Sequence, residues 1–228
     1  MAEKVRKNYI PSIEDLFKAK VHLGHQTRRW SPRMAPFIYT SMKKTHLIDL
    51  EITQQSLKKA CDFLSEAKDR GKIVFVGTKK QARDIVQKYA KEAGFFYVCE
   101  RWVGGIFTNL DHIKKSLVSL SNMEKDLASG KLDQYTKKER LLMERKIKRD
   151  KRLFGGLLGI EKLPEALIIV DPKRERVALR EAKRVGVPVV ALVDTNTDPY
   201  GVDYIIPGND DAIASLELIL STLARALK

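Results

Sequence analysis

Apolar residues fall along this chain in two patterns: short unbroken runs, and stretches in which they recur every three or four positions. The first pattern predicts strands covered on both faces, and the second predicts the helices that cover them. Ile73-Val74-Phe75-Val76 is such a run; it ends at Gly77 and is followed by helical spacing at Ala82, Ile85, Val86, Tyr89 and Ala90. Phe95-Phe96-Tyr97-Val98, residues 166–170 and residues 187–193 predict further strands, and Tyr204-Ile205-Ile206 a short one before Pro207-Gly208. Helices are predicted over 52–68 (Leu57, Cys61 and Leu64, ended by Gly71) and 174–185 (Val177, Ala178, Ala182 and Val185, capped by Gly186). A third begins at Asp210 or Asp211 as cap and carries Ile213, Leu216, Leu220 and Leu223. Strand and helix alternate, which predicts an α/β fold with about five or six parallel strands.

Residues 108–152 break this rhythm. Leu110, Ile113, Leu117, Leu120 and Leu127 form a narrow seam, Gly130-Lys131 a turn, and 136–152 a returning helix with only Leu141, Leu142 and Ile147 to bury. The spacing predicts an inserted α-helical coiled-coil hairpin rather than another core helix. Gly104-Gly105 and Gly155-Gly156 flank it as junctions. The chain then divides into a basic N-terminal segment over 1–45, an α/β domain over 46–107 and 153–228, and the hairpin over 108–152, within the length of one domain plus an insertion.

Charge changes the picture from fold to partner. The net charge is +14, and it is segregated: ten basic residues stand against three acidic in 1–46 and thirteen against seven in 111–152, while 153–228 is slightly acidic. Segregation of this kind fits a surface that neutralises phosphates, because each cation placed on one releases condensed counterions. No uncharged apolar run approaches the ~18 residues of a membrane span, and no secretory signal opens the chain. Two cysteines, Cys61 and Cys99, without a CxxC spacing, exclude a cysteine zinc site.

The N-terminal segment concentrates Arg28, Arg29, Trp30 and Arg33, with Lys43 and Lys44 beyond, in a proline-broken and extended stretch. Arg binds phosphate bidentately or stacks on a base; Trp30 either stacks on an unpaired base or packs on the core. Gly77-Thr78-Lys79-Lys80 sits between a strand and a helix, where α/β folds hold phosphate. It lacks both GxxxxGK[ST] and GxGxxG, so an RNA phosphate, a free nucleotide and a plain helix start all stay open for Lys79 and Lys80. On the hairpin, Lys114, Lys115, Lys146, Arg149 and Arg152 are candidate phosphate contacts. His22 and His25 with Asp194, Asp198 and Asp203 form a set that either holds a structural divalent metal or ties the N-terminal segment to a loop by hydrogen bonds. No catalytic constellation is present.

Five strings occur in one order over nearly the whole chain: residues 21–27 (VHLGHQT) with Trp30, Pro32 and Met34; 75–79 (FVGTK); 101–105 (RWVGG) with Thr108-Asn109; 193–196 (VDTN); and 207–211 (PGNDD). In these the chain resembles the bacterial S-two family of small-subunit ribosomal proteins. The resemblance implies a doubly wound, Rossmann- or flavodoxin-like sheet with the inserted hairpin, and no catalytic activity. It further implies attachment to 16S rRNA between the head and body of the subunit, and a part in recruiting the S-one protein beside other small-subunit proteins. Neither a required cofactor nor a small-molecule substrate is implied. The expected location is the ribosome, in the cytoplasm or in an organelle stroma. The sequence ends at Lys228 without the acidic tail of many relatives, so no function of such a tail is expected. Two rivals remain: a nucleotide-dependent enzyme on a Rossmann-like scaffold, and a protein-docking module whose hairpin binds a helical partner.

Overall fold

The computed structural model describes residues 10–228. The first nine residues of the basic N-terminal segment lie outside them. Five parallel strands form the main sheet: β4 (Ile73–Val76), β5 (Phe96–Val98), β6 (Ala166–Val170), β7 (Val189–Val193) and β8 (Tyr204–Pro207). Their order is β5-β4-β6-β7-β8. The chain therefore starts in the second position, moves outward once, then returns past its start and winds the other way, which is the flavodoxin-like doubly wound order. All residues of β4, β6 and β7 are buried, as strands with helices on both faces must be.

The pleat sends alternate side chains of these strands into two cores. Ile73, Phe75, Ile168 and Leu192 join one with α2 (Leu50–Arg70), α3 (Arg83–Ala93) and α7 (Ile213–Ala226). Val74, Val76, Ile169 and Ala191 join the other with α6 (Arg176–Val185), Trp102, Phe107 and Met34. Gly94 and Gly186 end α3 and α6 in left-handed backbone (φ 75° and 77°). Among the described residues, no helix is long and apolar enough to cross a membrane.

Helices α4 (Leu110–Ala128) and α5 (Lys137–Phe154) form a packed pair inserted between β5 and β6. The base of α4 belongs to the main core through Ile113 and Leu117. Farther out, the pair closes on its own small cluster of Leu120, Leu132 and Ile147, with Met123 and Met143. Leu127, Leu141 and Leu142, expected in the seam, are exposed instead. Met143 and Ile147, four apart, define the inward face of α5, and residues 141 and 142 fall outside that stripe.

The described part of the N-terminal segment, residues 10–45, is not the extended stretch expected from its prolines. After the short α1 (Ile13–Lys18), capped by a reciprocal Ser12/Asp15 box, it folds into an antiparallel sheet of β1 (Leu23–Gln26), β2 (Ile38–Met42) and β3 (Thr45–Ile48), in the order β1-β3-β2. The β2–β3 turn is Lys43-Lys44, both at positive φ (49° and 63°), between paired Met42 and Thr45. Two left-handed central residues are what a tight hairpin of the right twist needs. Asn-Gly is the usual sequence signal; two lysines carry no such signal, and each costs about 1 kcal/mol in that conformation. This small sheet docks at the C-terminal end of the main one: Ser31 N–H donates to Thr195 O (2.7 Å), His25 N–H to Thr195 Oγ1 (2.8 Å) and Asn209 N–H to Val21 O (3.0 Å).

Candidate nucleic-acid interface

The cations of the N-terminal sheet divide into tethered and free. Arg33 is ion-paired to Asp198 (3.0 Å) and lies over the Tyr200 ring (5.3 Å), so it fastens the segment to the β7–β8 loop. Arg28 donates to Gln26 Oε1 (3.0 Å). Arg29, Lys43 and Lys44 make no ion pair among the described residues, and all three are exposed. Trp30 is 38% exposed and its ring leans on His46 (5.1 Å between centroids), so it packs on the small sheet with one part open to solvent.

At the switch point between β4 and β6, where a doubly wound sheet would hold a nucleotide, the chain fills the crevice itself. Glu175 accepts from the Thr78 N–H (3.0 Å) and the Thr78 hydroxyl (2.5 Å), and Arg174 Nε donates to that hydroxyl (3.0 Å). A carboxylate thus takes the backbone donor that a nucleotide phosphate would use. Burial pushes the Glu175 carboxyl above its usual value, against the opposing pull of Thr78. Lys79 is only 14% exposed and lies 2.7 Å from Asp210, 2.6 Å from Asp211 and 4.0 Å from Asp171. Its ammonium is an internal tie between the β4–α3 and β8–α7 loops. Burial lowers its pKa, but the hydrogen bonds to Asp210 and Asp211 outweigh that and leave it raised. Asp210 is pushed up to about 7 by desolvation first and by Asp194 and Asp171 next. Lys80, beside it, is exposed and makes no ion pair among the described residues.

Neither Asp210 nor Asp211 caps α7 as expected: Ala212 stands at the cap without a side-chain hydrogen bond, and Asn209 Oδ1 closes the preceding turn by accepting from the Asp211 N–H (2.8 Å) and the Ala212 N–H (3.0 Å). Both aspartates are thereby free to meet charge. Asp211 and Asp194 flank His25, with Nδ1 3.0 Å from Asp194 and Nε2 3.5 Å from Asp211. The Asp194 hydrogen bond raises the His25 pKa above its ordinary value despite desolvation. One ligand atom from each of the three lies within 4.8 Å of the others, close enough to hold one metal ion. Of the residues singled out from sequence for a metal, only Asp194 and His25 are here. His22 stacks on Phe17 (4.3 Å), Asp198 holds Arg33, and Asp203 accepts from the Val189 N–H (2.8 Å). Asp211 was not foreseen, because a cap assignment hid it.

On the helical pair, Lys115 and Lys146 are exposed and make no ion pair among the described residues, while Lys114 meets Asp111 (3.2 Å). Arg149 and Arg152 are expected cations that turn out to share one concavity with Arg145, Lys148, Leu153 and Glu100. The spacing i, i+3, i+4, i+7 puts these four cations on one face of α5. Arg152 pairs with Glu100 (2.9 Å) and Arg149 with Asp150 (3.0 Å), both near the surface. The Arg152 hydrogen bond is the main reason the Glu100 carboxyl lies below its usual value. Arg145 is a further candidate on this face that the sequence reading did not single out; its signal is the periodicity of charge rather than its density. Such a stripe can bind a polyanion along the helix, and it contains no group suited to chemistry.

A family model described as "Ribosomal protein S2" matches residues 16–228. The chain is 45% identical over 217 residues to the "Small ribosomal subunit protein uS2" of Geotalea uraniireducens, covering 95% of this chain and 85% of that protein. It is 46% identical to the protein of the same description from Sorangium cellulosum, covering 94% and 77%, and 46% identical to that of Chloroflexus aggregans, covering 95% and 92%.

Proposed function

The chain belongs to the ribosomal protein S2 family, a family of ribosomal proteins rather than of enzymes, and from that premise we propose that it is a structural constituent of the small ribosomal subunit that binds 16S rRNA. The observation that carries the rRNA reading is the four-cation face of α5, Arg145, Lys148, Arg149 and Arg152, on an arm that projects its own small core. In this reading α4 and α5 act as a coiled-coil hairpin. The exposed Arg28, Arg29, Lys43, Lys44, Lys80, Lys115 and Lys146 add phosphate contacts, and the exposed part of the Trp30 ring is offered to an unpaired base. Lys79, shielded between carboxylates, enters as an internal tie, whereas the surface pairs of Lys114 and Arg33, like those of Arg149 and Arg152, can be exchanged for phosphate. Affinity is electrostatic and shape-directed, and specificity comes from the folded RNA.

Attachment between the head and body of the subunit and help in recruiting the S-one protein belong to the same proposal and rest on the family resemblance. Phe17, Tyr39 and Met42, 59%, 75% and 58% exposed on the N-terminal module, supply apolar surface for a protein partner. The rival of a nucleotide-dependent enzyme is disfavoured by Glu175, whose carboxylate occupies the phosphate position at Thr78. Gradient fractionation of a cell extract in magnesium buffer, with mass spectrometry for this chain, tests the reading. Enrichment in small subunits and whole ribosomes is expected; a chain found only among free proteins would overturn it.

A structural divalent cation held by His25, Asp194 and Asp211 is a second, separate proposal, supported by the convergence of those ligand atoms and by the three carboxylates, Asp171, Asp210 and Asp211, gathered around Lys79 beside them. Imidazole with carboxylates suits zinc. With metal-stripped protein, zinc at ~100 times its dissociation constant is expected to raise the melting temperature by about 5 °C or more, and the Asp211→Asn variant should show no such rise. An equal response in both proteins would leave the hydrogen-bonded tie between His25 and Asp194 as the whole explanation.

A further inference from the structure

The loop that launches the arm from the sheet turns its hydrogen-bond donors inward onto a single carboxylate. Glu181, on α6 and 8% exposed, accepts through Oε1 from the Gly105 N–H (2.7 Å) and the Trp102 indole N–H (3.3 Å). Through Oε2 it accepts from the Phe107 N–H (3.0 Å), the Thr108 N–H (3.2 Å) and the Thr108 hydroxyl (3.3 Å). Five donors from seven consecutive residues therefore meet one anion, and Glu181 makes no ion pair among the described residues. The charge is balanced by oriented dipoles alone, the arrangement by which backbone nests hold phosphate. Burial pushes the carboxyl up, but the three backbone N–H groups and Trp102 more than offset it and leave it below its usual value.

The clamped loop ends at Thr108, two residues before α4 begins at Leu110. Thr108 is fixed in direction by two of the five hydrogen bonds, and Trp102 and Phe107 lock edge to face (5.0 Å) in the core beneath. The other end of the arm returns beside β5 through Gly156. The entering chain thus takes its heading from α6, a helix 73 to 79 residues away in sequence. We propose that Glu181 is a positioning residue, an internal anion that stands where a bound phosphate would and sets the angle at which the α4–α5 arm leaves the sheet. Its bearing on RNA rests on the rRNA-binding reading above: the arm's angle decides whether the α5 cations and those of the main body reach phosphates together.

A purely packing role predicts that any small side chain at 181 weakens the fold and that nothing added to the buffer repairs it. An anion nest predicts chemical rescue. The full chain is spin-labelled at Lys59→Cys on α2 and Ser129→Cys at the end of α4, both exposed positions. Cys61 is buried but Cys99 is partly exposed, so both are first replaced by Ala and every variant is compared in that background. In Glu181→Ala the distance distribution between labels should broaden, and sodium formate should narrow it again while sodium chloride at equal ionic strength does not. Binding to 16S rRNA should weaken roughly tenfold, the loss of one or two phosphate contacts, and recover with formate. If Glu181→Ala does not fold, Glu181→Gln keeps the side chain's length, replaces one acceptor atom with a donor, and should broaden the same distribution. A distribution unchanged in the folded variant, or, in Glu181→Ala, broadened but indifferent to formate, overturns the proposal. An unsubstituted chain that fails to bind 16S rRNA would instead sink the RNA reading and leave the clamp standing.

Discussion

Replacing Arg145, Lys148, Arg149 and Arg152 together with Gln is expected to weaken binding to 16S rRNA by on the order of a hundredfold at ~0.15 M salt, and to flatten its salt dependence. Each phosphate contact contributes roughly 0.7 to 0.9 to the slope of log affinity against log salt, so four lost contacts remove about 3 units. The four positions share one face of α5, so the loss falls on one surface. The fold should survive. Gln is nearly as good a helix former as Arg or Lys, and the two ion pairs given up, Arg152–Glu100 and Arg149–Asp150, involve arginines more than 60% exposed and contribute at most ~1 kcal/mol each. Circular dichroism and melting temperature close to those of the unsubstituted chain are therefore part of the expected result. Filter binding at several salt concentrations reads the rest. A folded variant with unchanged slope and affinity would transfer the arm to the protein-docking rival.

The main sheet was legible because its signal is local. Residues 73–76, 166–170 and 189–193 are continuous, largely β-branched runs buried on both faces, and Gly186 ends its helix in left-handed backbone. The small antiparallel sheet was not legible, because its hairpin turns on Lys43-Lys44, whose positive φ angles no residue preference announces. The site residues followed the same rule. Lys44 and Lys146 stay exposed and without an ion pair among the described residues, so charge alone is enough to find them as candidates. Lys79 looked identical in sequence, yet Asp210 and Asp211, more than 130 residues on, turn it into an internal tie. Asp211 and Glu181 were invisible for the converse reason: their partners, His25 in one case and residues 102–108 in the other, are supplied by tertiary packing. Long-range ion pairs therefore decide which cations of this chain stay open to an outside partner, and they leave no periodic trace.

The glycine pair at the arm's return makes the second large prediction, because its two members are under opposite demands. Gly155 has ordinary helical backbone (φ −58°, ψ −30°), and a Cβ there would meet only Lys151 Cγ at 3.5 Å. Gly155→Ala removes unfolded-state freedom without strain and should stabilise by about 0.5 to 1 kcal/mol. At Gly156 a Cβ would lie 2.2 Å from the Tyr97 carbonyl oxygen and 2.6 Å from its ring. That oxygen belongs to β5, where Tyr97 pairs with Phe75 of β4, so relief requires the edge strand or the root of the arm to move. Gly156→Ala is accordingly expected to cost about 3 kcal/mol or more, and at 2 to 4 °C per kcal/mol for a chain of this size to lower the melting temperature by roughly 10 °C. Thermal unfolding of the two single variants side by side gives the check. Equal melting temperatures would mean that the close approach of the arm to β5 is absent in solution, and with it the second of the two contacts that fix how the arm is carried.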